Sequence, residues 1–146
     1  MIKIIPEQAD DGIPGVLLCS HGHLAEGIAD AVKMIYGECK NLAVIGLEES
    51  DDVAGWGDEL EAAVKRFSKG AIVLIDLFGG TPGNQCLLKT VQMVKTGDSV
   101  SVVAGMNLGM VLEVLAGRET EKFERIAEIA VEAGKQAVSD CLLHFR

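Results

Sequence analysis

Four short apolar runs constrain this chain more than any other feature: "GVLLCS" at 15–20, "NLAVIGL" at 41–47, "AIVLIDLF" at 71–78 and "SVSVVAG" at 99–105. They are nearly continuous in hydrophobicity rather than alternating, which is the pattern of strands covered on both faces. Their starts are separated by roughly 25 to 30 residues, the length a parallel strand needs for a helical crossover. Such crossovers are right-handed almost without exception.

The stretches between the runs have helical spacing. Leu24, Ile28, Val32 and Ile35 form one stripe, and Val53, Trp56, Leu60, Val64 and Phe67 form another. In the third connection Thr81 is placed as N-cap, Pro82 at the first helical position, where its missing amide costs nothing, and Gly97 as the stop. "GMVLEVLAG" reads as a short helix, and a longer one runs from a Thr120 cap through Phe123, Ile126, Ala130 and Val138. The order βαβαβαβαα predicts an α/β fold, a three-layer α/β/α sandwich around a mainly parallel four-stranded sheet. Residues 1–14 are expected to form a loose N-terminal arm, with "MIKII" as a candidate extra edge strand, and residues 15–146 a single domain.

Composition narrows the function classes. A chain of 146 residues, 49% of them apolar, builds one core and is too short for two ordinary domains. No apolar stretch approaches the roughly 20 residues needed to span a bilayer, and no basic region precedes a long apolar run near the start, so a cytoplasmic protein is expected. A formal charge of −9 opposes the phosphate backbone and argues against nucleic-acid binding. Cys19, Cys39, Cys86 and Cys141 are scattered without a CxxC pair and read as small reduced core residues.

In open parallel sheets, ligands bind beyond the carboxyl ends of the strands. His21 follows the first run, Asp76 lies at the end of the third, and Asn107 follows the fourth. The first and third strands are commonly neighbours in this topology, so His21 and Asp76 are expected to meet. A carboxylate that pins one imidazole nitrogen as a donor leaves the other as a nucleophile, base or metal ligand. The loop "FGGTPGN" supplies glycines Gly79 and Gly80 for close backbone approach, then a helix N-terminus near Thr81: an anion cradle. A histidine nucleophile facing that cradle points to a phosphoryl group carried on the ring.

Other readings remain beside this one. A strand-end histidine also serves as a plain hydrogen-bonding residue, His23 and His144 fit an exposed surface, and "FGGTP" fits a tight strand-to-helix turn. GxGxxG, GxxxxGK[ST] and GxSxG patterns are missing from the sequence, which removes the usual supports for nucleotide binding and triad hydrolysis. His21 and His23 have alternate spacing, but the remaining histidine is distant and no carboxylate pattern completes a metal site.

"SHGHLAEG" after the first strand, "IDLFGGTPGN" after the third and "VVAGMNLGMVLE" after the fourth together resemble the IIA component of the mannose/sorbose family of the bacterial phosphoenolpyruvate-dependent sugar phosphotransferase system (PTS), over roughly residues 15–140. The resemblance implies a phosphohistidine carrier that accepts a phosphoryl group from HPr and passes it to IIB, which serves the membrane components IIC and IID. By position, His21 is the implied acceptor at Nε2, Asp76 its orienting partner, and Thr81 with nearby backbone amides the phosphate cradle. Asn107 is placed near the pocket. No nucleotide or metal cofactor is implied. A homodimer is, in some members with an exchanged C-terminal strand.

The sequence departs from the family's pattern in two places. A 14-residue arm precedes the first strand, and Gly109 stands where a proline is common. The chain ends at "LLHFR" without a linker, so IIB is expected as a separate chain. Two alternatives belong to other classes: the phosphodonor or regulatory module of dihydroxyacetone-kinase type, and a tetrapyrrole metal chelatase, whose first strand also ends in a "GHG"-like turn. The chelatase would want a second ligand histidine from a later strand, and none lies between His23 and His144.

Overall fold

The structure, a computed structural model, describes residues 1–145. Strands β1 (Ile2–Ile4), β2 (Gly15–His21), β3 (Leu42–Leu47), β4 (Ala71–Ile75) and β5 (Val100–Ala104) form one sheet in the order β1-β3-β2-β4-β5. All pairs are parallel except β1 with β3. The helices are α1 (Leu24–Tyr36), α2 (Val53–Lys65), α3 (Gly80–Lys95), α4 (Leu108–Gly117) and α5 (Phe123–Gln136), followed by a short 3-10 helix at Cys141–Phe145. The expected three-layer α/β/α sandwich is therefore present, with the candidate edge strand formed as a fifth, antiparallel member.

Alternation along each strand sends side chains to opposite layers, and both layers are apolar. Val16, Leu18, Val44, Ile72 and Leu74 pack under Ala25, Val32, Val111, Val114 and Ile126. Leu17, Cys19, Ile45, Val73 and Ile75 pack under Trp56, Leu60, Val64, Cys86 and Met93 on the other face. Every residue of β4 is buried, which is why its run reads as continuous hydrophobicity. Each fully buried aliphatic side chain of this kind contributes about 2 kcal/mol of transfer free energy.

Helix details differ from expectation in four places. On α1 the buried positions are Ala25 and Val32, while Leu24 and Ile35 are half exposed. The set 25, 28/29, 32 is as periodic as 24, 28, 32, 35, and the small Ala25 lets the helix lie close to the sheet. Thr81 is not the N-cap of α3: that position is Gly79, and no side chain caps the helix. Two glycines in succession with positive φ, 82° at Gly79 and 66° at Gly80, start the helix earlier. Thr120 does not cap α5, which starts after Lys122; its N–H instead closes a turn onto the Gly117 carbonyl at the end of α4. Val138 lies beyond α5 and is exposed.

Residues 1–14, expected as a loose arm, carry β1 and several ties to the domain. The Asn41 side chain donates to the carbonyls of Asp10 and Ile13 at 2.8 and 2.9 Å and accepts from the Asp10 N–H at 2.8 Å. Arg66 donates to the carbonyl of Glu7 at 2.9 Å, and Ile5 and Ala9 pack against the core. Arg118, almost fully buried, donates to the carbonyls of Asn41 at 3.1 Å and Pro14 at 3.3 Å. Burial pushes its pKa below the ordinary arginine value. Of the four cysteines, Cys19 and Cys86 are buried, but Cys39 is only partly so and Cys141 is exposed.

Candidate active site

Strands β2 and β4 are parallel neighbours with Cys19 opposite Ile75, so His21, two residues on, and Asp76, one residue on, reach the same sheet end. The Asp76 N–H extends the ladder to the Cys19 carbonyl at 3.2 Å. Asp76 Oδ2 then accepts from the backbone N–H of His21 at 3.0 Å and lies 2.9 Å from its ring Nδ1. A carboxylate only accepts when ionised, so against an ionised Asp76 the contact is one that Nδ1 donates, and Nε2 is the ring nitrogen outside it. The Asp76 side chain is 11% exposed and that of His21 51%, so the carboxylate is sheltered while the imidazole is open to solvent.

Gly80 stands against the other edge of the imidazole. A Cβ built there would lie 3.4 Å from His21 Cε1 and Nε2. Gly79 and Gly80 thus bring the N-terminus of α3, with its free amides and positive dipole end, next to the nitrogen that Asp76 leaves free. Thr81 is exposed in the first turn of this helix.

Not every residue singled out in the sequence joins this group. Asn107, expected near a phosphate pocket, is engaged elsewhere: its Oδ1 caps α4 by accepting from the Met110 N–H at 2.9 Å, and its Nδ2 donates to the Gly134 carbonyl at 3.1 Å. His23 is the N-cap residue of α1 and pairs through Nδ1 with Glu26 Oε2 at 2.8 Å. Phe78 is 75% exposed, and with Leu24 and Leu77 makes an apolar set of exposed side chains in the segments that follow β2 and β4.

Two contributors were missed. Ser20, buried between the core and His21, accepts the Ala25 N–H on Oγ at 2.8 Å and so ties the start of α1 to the end of β2. A hydroxyl in an otherwise apolar strand, five residues before a helix turn, is the signal that marks it. Gly46 is the other, since a Cβ there would overlap the Gly22 carbonyl oxygen. Burial, with Cys86 and Asp76 acting in the same direction, holds the Cys19 thiol well above its ordinary value, which leaves it protonated and unreactive beside the site.

A groove of about 540 Å³ lies between α1 and the β1–β3 edge, and His21 and Asp76 are not among its lining residues. His21 stands on the open surface instead, where a second protein can reach it.

Comparison with known proteins agrees with this architecture. The family model described as PTS system fructose IIA component matches residues 15–131. The sorbose-specific EIIA component of Lacticaseibacillus casei is 31% identical over 130 residues, covering 88% of this chain and 80% of that protein. The mannose-specific EIIAB component of Escherichia coli (strain K12) is 26% identical over 126 residues, covering 84% of this chain. This chain matches only 38% of that longer protein's length. Among solved structures, the mannose/sorbose specific IIA subunit from Enterococcus faecalis superposes with a TM-score of 0.76 at 31% identity, covering 88% of this chain and 94% of that one. The EIIA component from Streptococcus agalactiae gives 0.81 at 23% identity, covering 90% and 99%, and shares the fold.

The three-layer α/β/α fold is shared with the mannose-type IIA structures. The chain belongs to the PTS fructose/mannose-type IIA family, as an EIIA component of the mannose, sorbose and fructose group.

Proposed function

We propose that this protein is a phosphohistidine carrier that accepts a phosphoryl group from HPr at Nε2 of His21 and passes it to a IIB component. The observation that carries the reading is the placement of His21 between Asp76 Oδ2, 2.9 Å from Nδ1, and Gly80, whose Cβ would touch Nε2. One nitrogen is pinned as donor and the other is aimed at a helix N-terminus. Nothing more is required of the protein than in-line positioning and donors for the equatorial oxygens, because the phosphoryl group brings the reactive bond with it.

In this reading the His21 lone pair attacks phosphorus as the bond to the donor histidine breaks, and Asp76 stabilises the positive charge that develops on the ring. The amides at the start of α3, with Gly79, Gly80 and the Thr81 hydroxyl, hold the phosphoryl oxygens. Leu24, Leu77 and Phe78 give a partner an apolar surface to dock on, and their moderate number suits a brief encounter. Sugar specificity lies with IIB and the membrane components IIC and IID, and the carrier works at their cytoplasmic side, as a homodimer. Among the described residues no helix is long and apolar enough to cross a membrane.

The test is intact mass after incubation with phosphoenolpyruvate, enzyme I and HPr. An acid-labile gain of about 80 Da, lost in His21→Ala and slowed in Asp76→Asn, is expected for a phosphohistidine. No gain with fresh cognate donors would remove the reading.

A further inference from the structure

Strand β1 lies outside residues 15–131, the part that the family model matches. It nevertheless backs the turn that carries His21. Ile2 pairs with Gly46 of β3, and the next residue along, Leu47, pairs with His21. The Gly22 N–H donates to the Leu47 carbonyl at 2.7 Å. The Gly22 carbonyl lies over the bare Cα of Gly46, and a Cβ built on Gly46 would also come 3.2 Å from Cβ and Cδ1 of Ile2. The Ile2 side chain and the Gly22 peptide therefore share the space that a side chain at position 46 would fill.

Gly22 has φ 52°, a left-handed conformation that turns the chain sharply after His21. Three ties set the direction of that turn: Asp76 on the His21 N–H, Leu47 on the Gly22 N–H, and the contact of the Gly22 carbonyl with Gly46 beside Ile2. The first comes from the residue that follows β4 and the second from β3. Ile2 fills the space next to the third and belongs to neither.

We infer that Ile2 is a positioning residue for His21, acting through Gly46 and Gly22, so that the N-terminal strand makes the His21 ring keep one tautomer against Asp76. The inference rests on the reading of His21 as phosphoryl acceptor for its consequence in rate, but the ring geometry is measurable without it. With Ile2 truncated, the Gly22 peptide gains room to tilt, the ring swings relative to Asp76 Oδ2, and Nδ1 ceases to be held as the sole protonated nitrogen. A small misplacement of a reacting atom costs rate steeply.

The experiment compares the full chain with Ile2→Ala, Ile2→Val and Ile4→Ala. Ile4 pairs with Val44, further along β3 from the turn, and controls for weakening of β1 in general. The readouts are the nitrogen shifts of the His21 ring by NMR, the initial rate of phosphoryl uptake from phosphorylated HPr, and thermal stability. Ile2→Ala is expected to move the ring shifts towards mixed tautomers and slow uptake about tenfold, with Ile4→Ala like the unchanged chain in both. Ile2→Val, which keeps the branch at Cβ and loses Cδ1, gives an intermediate shift and carries the test if Ile2→Ala does not fold. Unchanged ring shifts in the Ile2 variants overturn the inference, as do equal shifts in Ile4→Ala that follow stability alone. If the unchanged chain takes up no phosphoryl group while Ile2→Ala alone moves the ring, positioning stands and the phosphocarrier reading falls.

Discussion

A single oxygen of Asp76, Oδ2, holds His21 twice, through the backbone N–H at 3.0 Å and the ring Nδ1 at 2.9 Å. Main chain and side chain of the histidine are thus referred to one sheltered carboxylate. Replacing it with Asp76→Asn introduces a donor that competes with Nδ1–H and removes the charge that supports a positive ring. Phosphoryl uptake is expected to fall about a hundredfold, within the range for loss of an acid–base partner. Rapid-quench measurement of the phosphorylated fraction checks it, and an unchanged rate would refute the role of Asp76.

Gly80 is required for two separable reasons. Its φ of 66° is strained for any residue with a Cβ, and that Cβ would stand 3.4 Å from the reactive edge of the His21 ring. Gly80→Ala is therefore expected to cost about 1 kcal/mol in denaturant unfolding, together with a drop in phosphoryl uptake larger than that loss explains. Equal uptake by variant and parent would mean that the ring does not use the space over Gly80.

Asn107 offers the converse case. Both ends of its amide are bonded, to the Met110 N–H and the Gly134 carbonyl. Asn107→Ala should destabilise the fold by about 2 kcal/mol, from a lost helix cap plus a lost tie between α4 and α5. Phosphoryl uptake, measured well below the unfolding transition, should stay within about twofold, since neither bond involves His21 or Asp76. A large loss of uptake with little loss of stability would return Asn107 to the phosphate site.

Cys19 gives the chain an alkaline weakness. Burial holds its thiol protonated in the folded protein, whereas the unfolded chain ionises it near the ordinary value of 9.0. Above that pH the folded state binds more protons than the unfolded one, so stability falls as pH rises; below it the contribution is complete. Unfolding free energies across that range should show a downward slope that Cys19→Ala lessens. Parallel pH profiles for the two proteins would count against the effect.

Much of this architecture was legible from the chain because its signals are local. The four apolar runs became four strands, β2, β3 and β4 buried along most of their length because a strand covered on both faces has no polar side to alternate with, and β5 only partly buried at the sheet edge. Gly97 ended α3 at positive φ as its lack of a Cβ allows. His21 and Asp76 were legible as a pair only through topology, and the parallel pairing of β2 with β4 brings them together.

What sequence by itself determined is the succession of strands and helices, the two-sided core, and the residue types that gather at one end of the sheet, because hydrophobic period and backbone freedom act over a few neighbouring positions. Tertiary structure decided the rest. It chose which of two equally periodic faces of α1 is buried, set Asn107 as the cap of α4, seated Ser20 under α1, and laid residues 2–4 along β3 behind the His21 turn. Each of these depends on a contact between residues brought together by folding or on the exact fit of a side chain, and neither is written in the spacing of the chain.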